Sequence, residues 1–297
     1  MLHSTHFQAA AALFLMVGSC AAEAAEVQPL GGNVSVLFGK SSNVLILPGD
    51  RDVLIVDDQR KSDVQETLDG VRAVSPLPVR YVIDTHWHLD HSGGNAAFAA
   101  AGATIIAHRN VRVRRSTEQY MIAYDAHIPP DAPEALPTQV YDDKLKLRQG
   151  DETIELIHVP NAHTDGDTLV RFRKANVIAM GDVFFNHIFL FIDLSSGGSI
   201  QGLIKGIDVA LAMADAETKI VPAHGPVATK AELGRYREML ASVAEAVRKG
   251  IRTGATREQV VASHPAEAYR SGMEGDEDRF VEAIYDSYRN ENFHYRI

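Results

Sequence analysis

The stretch Thr85-His86-Trp87-His88-Leu89-Asp90-His91 decides the fold. It sets three imidazoles and one carboxylate within six residues, in a chain with 13 histidines among 297 residues. That density points to ligation rather than to a polar turn that happens to be rich in histidine. Neutral imidazole and carboxylate suit a borderline divalent ion such as zinc. If the preceding run, Val82 to Thr85, ends in extended geometry, His86 and His88 lie two apart and project to one side, where they can grip one ion. Asp90 and His91 follow where the chain is expected to turn, before Ser92-Gly93-Gly94-Asn95, and so can face a second ion.

Working outward, Val79 to Ile83 reads as the strand that delivers this motif, and Thr104 to Ala107 as another buried strand. Upstream, Asn33 to Phe38 and Asn43 to Leu47 read as short strands, and Val53-Leu54-Ile55-Val56 as a buried central strand ending in Asp57-Asp58. Ser62 to Gln65 has the form of a capping box opening a helix through Val64, Leu68 and Val71, and Gly94 to Ala101 reads as a small-residue helix. Arg109 to Leu136 is expected to be a helix followed by an irregular surface segment overhanging the site. Leu145 to Leu147, Glu152 to His158, Thr168 to Phe172 and Asn176 to Met180 read as further strands. The C-terminal third is helical: Thr229 to Glu232 is a capping box with Gly250 as the expected stop, Thr256 to Gln259 opens another helix, and Asp276 to Tyr288 forms the last. Strand-rich halves with helices between and after them predict a sheet-on-sheet α/β core flanked by helices. No repeat or linker divides residues 26–297, which read as one domain.

Composition agrees. A hydrophobic fraction of 45% supplies a large core, and a net charge of −10 repels nucleic acid, which argues against a nuclease and for a small-molecule substrate. The single cysteine, Cys20, leaves the body without a disulfide or a thiolate ligand. Residues 1–25 have the layout of a secretory signal: an apolar run from Ala9 to Val17, too short to span a membrane, then Ala22-Glu23-Ala24-Ala25. Met1 to Gln8 lack the usual Lys or Arg, and Val17-Gly18-Ser19-Cys20 has the form of a lipoprotein box. Periplasmic or secreted export is the expectation, with a lipid anchor at Cys20 or a non-exported start as alternatives. No other segment is apolar enough to cross a membrane.

Three further residues with ligand chemistry fall at strand ends: His163, Asp182 and His224. Each is weak alone, because a strand-end His or Asp is most often a turn or cap residue. Together with the first motif they make five histidines and two aspartates, a set suited to two ions sharing a bridging carboxylate. In this order, His86-x-His88-x-Asp90-His91, His163, Asp182 and His224, the set resembles the metallo-β-lactamase superfamily. The resemblance implies an αββα sandwich with two zinc ions at one edge of its sheets. It assigns His86, His88 and His163 to one ion, Asp90, His91 and His224 to the other, and Asp182 to the bridge. It also makes Asp57 a residue that orients a ligand from behind.

Two zinc ions lower the pKa of a shared water and polarise a carbonyl. The expectation is therefore a hydrolase opening a cyclic amide or ester, with β-lactams the leading substrate and Asp90 and Asp182 assisting catalysis. Asp182 is the pattern of the glyoxalase II-like and lactonase-like branches. The lactonase branch, however, places a tyrosine where Phe185 stands, and the glutathione-holding residues of glyoxalase II have no counterpart. A thioesterase or lactonase is one alternative, and a persulfide dioxygenase using one Fe2+ is an alternative from another class. The aromatic segment Phe184 to Asp193 is expected to form an apolar wall through Phe185 and Phe191, with Ser195 and Ser199 offering donors to substrate. His187 reads as an ordinary loop residue, and His108, His127, His158 and His264 receive no role.

Overall fold

The computed structural model describes residues 26–289; the signal-like segment and Cys20 lie outside them. In chain order the strands are β1 (Glu26–Gly31), β2 (Val34–Phe38), β3 (Asn43–Pro48), β4 (Val53–Val56), β5 (Val79–Asp84), β6 (Thr104–His108), β7 (Gln119–Met121), β8 (Ala126–Ile128) and β9 (Gln139–Tyr141). They continue with β10 (Lys144–Gln149), β11 (Glu152–His158), β12 (Thr168–Phe172), β13 (Val177–Ala179), β14 (Lys219–Val221) and β15 (Ala228–Thr229). The helices are α1 (Val64–Val74), α2 (Leu89–Ser92), α3 (Asn95–Ala100), α4 (Arg109–Arg115), α5 (Ile200–Met213), α6 (Lys230–Arg252), α7 (Arg257–Val261) and α8 (Glu277–Arg289).

Two sheets form the centre. One runs β1-β2-β3-β4-β5-β6-β9, antiparallel as far as β4 and parallel from there. The other runs β10-β11-β12-β13-β14-β15, with β13 and β14 parallel. Inner strands such as β3, β4 and β13 are apolar on both faces, as strands covered from both sides must be, whereas the edge strands β1 and β10 keep exposed polar residues. In β3, Leu45 and Leu47 enter the inter-sheet core with Ile154, Leu156, Val170 and Phe172, while Val44 and Ile46 face outward to Val71 and Phe98 of α1 and α3. On the far side, α5, α6 and α8 cover the second sheet through Leu203, Ile207, Leu240, Val243, Phe280 and Ile284. The layers are α-β-β-α, the sandwich expected.

The carboxyl ends of β4, β5, β11, β13 and β14 lie at one edge, followed by Asp57, His86, His163, Asp182 and His224. An edge where parallel strands end is a natural crevice for ligands.

Several local expectations need correction. The segment after α4 carries a β-hairpin, β7–β8, rather than irregular chain. Helix α5 is a full element that the reading of the serine-rich run passed over. Asp90 and His91 sit in a single helical turn, α2. Ser62 does not cap α1: its hydroxyl donates to Asp63, and a short 3-10 turn at Lys61–Asp63 precedes the helix. Helix α6 runs through Gly250 to Arg252 and stops before Gly254, which takes the left-handed conformation. The capping boxes at Thr229 and Thr256 are both formed.

Candidate metal centre

Seven side chains converge at the sheet edge in two groups, His86, His88, His163 and Asp182, and Asp90, His91 and His224. Asp182 faces both. Its Oδ2 lies 3.6 Å from His86 Nε2 and 3.3 Å from His163 Nε2. Its Oδ1 lies 3.2 Å from His91 Nε2 and 3.3 Å from His224 Nε2. Asp90 Oδ2 closes the second group at 3.7 Å from His91 Nε2 and 3.6 Å from His224 Nε2. A tetrahedral ion with bonds of about 2.1 Å separates its ligand atoms by about 3.4 Å, so these spacings match shared ligation.

The outward nitrogens fix which nitrogen each ring presents. His163 Nδ1 lies 2.8 Å from the Phe191 carbonyl, and His88 Nε2 lies 3.0 Å from Asp193 Oδ2. Both partners are pure acceptors, so those nitrogens carry the hydrogens of neutral rings. His163 Nε2 and His88 Nδ1 then face one another at 3.0 Å with bare lone pairs. Burial pushes His163 down to about 4, which disfavours a proton on that ring at neutral pH, and a cation held by both nitrogens satisfies the facing lone pairs. The same logic fits His86 Nε2, His91 Nε2 and Asp182 Oδ1, which are buried without a hydrogen-bond partner. The donor set fits two divalent ions.

Electrostatics within the cluster follow from burial and contact. Desolvation holds His86 well below the usual imidazole range, with the neighbouring His91 adding to the effect. Burial also opposes charge on His91, but Asp182, Asp57 and Asp90 together outweigh it and raise the ring. For Asp182, burial favours the neutral acid, while His91, His224, His163 and His86 win and hold it ionised.

Behind the ligands stands a second set of hydrogen bonds. Asp57 Oδ2 accepts from His91 Nδ1 at 2.9 Å, while its carboxylate also takes the amide and hydroxyl of Thr85. Asp57 thus stands behind the ring of His91. Thr85 Oγ1 in turn lies 3.2 Å from His86 Nδ1. Asp193 was not anticipated. Its carboxylate orients His88 and is itself held by Ser195, Ser196 and the Ser196 amide; Ser196 also accepts from the indole of Trp87 at 3.0 Å. Asp193 caps the turn Leu194–Ser196, and a local Asp-Leu-Ser-Ser cap gives no hint of a partner 105 residues away.

A cavity of about 740 Å³ opens over Asp182, Asp90, His88 and His224. Phe185 and Phe191 line it: Phe185 stacks on His224 with centroids 5.1 Å apart, and Phe191 lies against His88 and His163. Trp87, Ile188 and the hairpin residues Met121, Tyr124, Ala126 and Ile128 complete the apolar lining. The two serines differ from expectation. Ser195 is bound to Asp193 and lines a neighbouring cavity, and Ser199 caps α5 while donating to the Asn161 carbonyl. Their hydroxyls are engaged in supporting the ligand loops. His108 and His158, given no role, stack face to face with centroids 3.7 Å apart.

The sequence pattern described as the Metallo-beta-lactamase superfamily matches residues 27–241. Over 164 residues the chain is 27% identical to the 2,4-dinitroanisole O-demethylase subunit alpha of Nocardioides sp. (strain JS1661), covering 53% of this chain and 46% of that protein. The stereoselective inverting sec-alkylsulfatase Pisa1 from Pseudomonas sp. superposes with a TM-score of 0.69 at 16% identity, covering 89% of this chain and 50% of that one. A metallo-beta-lactamase from Pontibacter korlensis gives a TM-score of 0.58 at 17% identity over 73% of this chain and 99% of its own. The chain thus spans about half the length of the demethylase subunit and the alkylsulfatase. The two structures speak to the fold. Among the described residues, no helix is long and apolar enough to cross a membrane.

Proposed function

Because this chain belongs to the metallo-beta-lactamase superfamily, whose members are mostly metal-dependent hydrolases, we propose that it is a dinuclear zinc hydrolase acting on a small molecule with an apolar body. The observation that carries this reading is the division of Asp182 between two ligand groups, with Oδ2 toward one and Oδ1 toward the other. His86, His88 and His163 would hold one ion, Asp90, His91 and His224 the second. When bound, such ions lower the pKa of a water and polarise the bond to be cleaved.

The protein's own groups do the rest. Asp182 is almost wholly buried, whereas the side chain of Asp90 is 21% exposed. Both carboxylates line the cavity, and Asp90 is the more exposed of the two, placed to take a proton from an attacking water and release it toward a leaving group. Asp57, Thr85 and Asp193 hold the rings so that no reorganisation is needed during turnover. Phe185, Phe191, Trp87 and the hairpin exclude bulk water and pack an apolar substrate. A cyclic amide or ester suits this cavity, and a β-lactam is the leading member of that class. Thioesters and lactones are the next substrates to try.

The test is turnover by the zinc-loaded protein of a chromogenic cephalosporin, an aryl lactone and a thioester. At least one should be hydrolysed in a chelator-sensitive way, with kcat/KM above about 10⁴ M⁻¹s⁻¹ for a native substrate class. Turnover that survives both chelation and Asp182→Ala would overturn the reading. Iron at one per chain in protein purified from its own host, with oxygen-dependent turnover of a persulfide, would replace it with the dioxygenase.

A further inference from the structure

One end of the metal-centre cavity differs from the apolar remainder: Arg60, Lys61 and Ser62 line it beside Asp90 and Gly93. Arg60 and Lys61 are exposed and form no ion pair with a carboxylate among the described residues. The third cation of the lining, Arg115, is occupied by both oxygens of Asp131. In a chain of net charge −10, two unpaired cations at the mouth of an acidic ligand cluster call for a reason.

The backbone that carries them is built with care. Asp57 and Gln59 both adopt positive φ, at 62° and 65°, an uncommon conformation for residues other than glycine. Gln59 is fully buried, and its side chain accepts from Ser41 and donates to Thr67. The Arg60 amide donates to Ser41 Oγ, and the Gly93 amide to the Gln59 carbonyl. A Cβ on Gly93 would lie 2.8 Å from the Lys61 nitrogen and 3.0 Å from Arg60 Cα, so the ligand turn α2 and the Arg60–Lys61 corner are in direct backbone contact. Asp58 ties the same corner to the Gly94 amide. The backbone at Arg60 and Lys61 is thus held against the turn that carries Asp90 and His91, while the two cationic side chains extend from it into solvent. Tyr124, between the two strands of the hairpin, lines the same cavity.

We propose that Arg60 and Lys61 form an anion-recognition subsite, selecting substrates that carry a carboxylate or sulfate group beside the bond presented to the metal centre and an apolar body beneath the hairpin. The inference rests on the proposed reading of this cavity as the substrate site. A guanidinium and an adjacent ammonium on a held backbone supply charge-assisted hydrogen bonds to such a group, and the aromatic wall of the cavity packs its apolar body.

The chain's single tryptophan, Trp87, lines this cavity and reports on it directly. The test titrates the zinc-loaded protein with hexanoate, hexyl sulfate and 1-hexanol, following Trp87 fluorescence. Both anions should bind at least about tenfold more tightly than the alcohol, and the preference should weaken as salt rises. The double variant R60Q/K61Q should lose about tenfold in anion affinity, with hexanol binding, zinc content and melting temperature unchanged. A preference for hexanoate alone that persists in the double variant would assign the anion to the metals and overturn the subsite. Equal binding of all three probes by the unaltered protein would overturn it too. Zinc content and turnover are read separately, so failure of the hydrolase reading shows itself independently of these affinity ratios.

Discussion

Asp193 is the residue on which His88 depends. Its carboxylate holds His88 Nε2, is 1% exposed, and is kept ionised against its burial by His88, Ser195 and Ser196. Without it, His88 can turn and present the wrong nitrogen. Asp193→Asn should therefore weaken zinc binding about 10–100-fold while the fold persists, as measured by competition with a chromogenic chelator. Unaltered affinity would mean that packing by Trp87 and Phe191 suffices to hold the ring. His88→Ala removes a ligand outright, and turnover should fall by about three orders of magnitude or more with loss of one ion; full turnover in that variant would exclude His88 from the site.

Among the elements, α5 matters most for the site, although no ligand lies on it. The segment leading into it is laced to the loop before His163: the Asp193 amide donates to the His163 carbonyl, the Ser199 amide to Ala162, and the Ser199 hydroxyl to Asn161. Gly198 sits where a Cβ would fall 2.2 Å from the His163 carbonyl oxygen. Backbone cannot yield that far without moving the ligand. Gly198→Ala should accordingly lower zinc affinity more than it lowers the melting temperature of the metal-free protein, read by calorimetry alongside the chelator assay. A variant that melts early but binds zinc normally would show that α5 only supports the fold. The hairpin β7–β8 makes a contrasting case, because it lines the cavity through Met121 and Tyr124, with the Tyr124 ring 5.3 Å from that of Phe191. Tyr124→Gly should raise KM for an apolar substrate several-fold and leave kcat within about a factor of three; a collapse of kcat would instead give Tyr124 a part in the chemistry.

For the whole molecule, buried histidines and buried carboxyls pull the acid stability of the metal-free protein in opposite senses. Burial pushes His108 down to about 4 and lowers His158 as well, with the stacked partner ring adding to the effect at His108. His163 and His86 are lowered by burial too. Each folded-state value lies below that of the unfolded chain, so the unfolded chain binds more protons as pH falls. The share of stability that these four rings supply is full above about pH 6.5 and is lost toward pH 4. His91, raised by its carboxylates, works in the opposite sense, as do Asp58, Asp84 and Asp167, whose carboxyls burial raises, Asp167 to about 8. The stacked pair is isolated by His108→Asn: from pH 7 to pH 5 the urea midpoint of the metal-free variant should fall less, or rise more, than that of the unaltered protein. An identical pH dependence in the two would contradict the buried environment of His108.

Much of this was legible in the sequence because ligand chemistry is dense and strand ends are marked. His86 to His91 announced the site, and apolar runs such as Val53 to Val56 announced the buried strands that bring His163, Asp182 and His224 to one edge. What stayed hidden has physical reasons. The run Ser195 to Ser199 reads as a loop, yet Ser199 begins a 14-residue helix whose glycines, at 202 and 206, weaken its helical signature while permitting close packing. Asp193 and Ser196 resemble a local cap, and their long-range partners His88 and Trp87 arise only from the fold. Gly250 looked like a stop because glycine usually ends helices, but here it gives room to Val260 of the following helix.

The central claim is that Asp182 joins two ions into one centre. It is tested most directly by calorimetric titration of the metal-free protein with zinc, beside the same titration of Asp182→Ala. The geometry predicts two ions per chain, with the variant losing affinity at both positions because it removes Oδ1 and Oδ2 together. A single ion in the unaltered protein, or a variant that loses only one of two sites, would contradict a shared carboxylate.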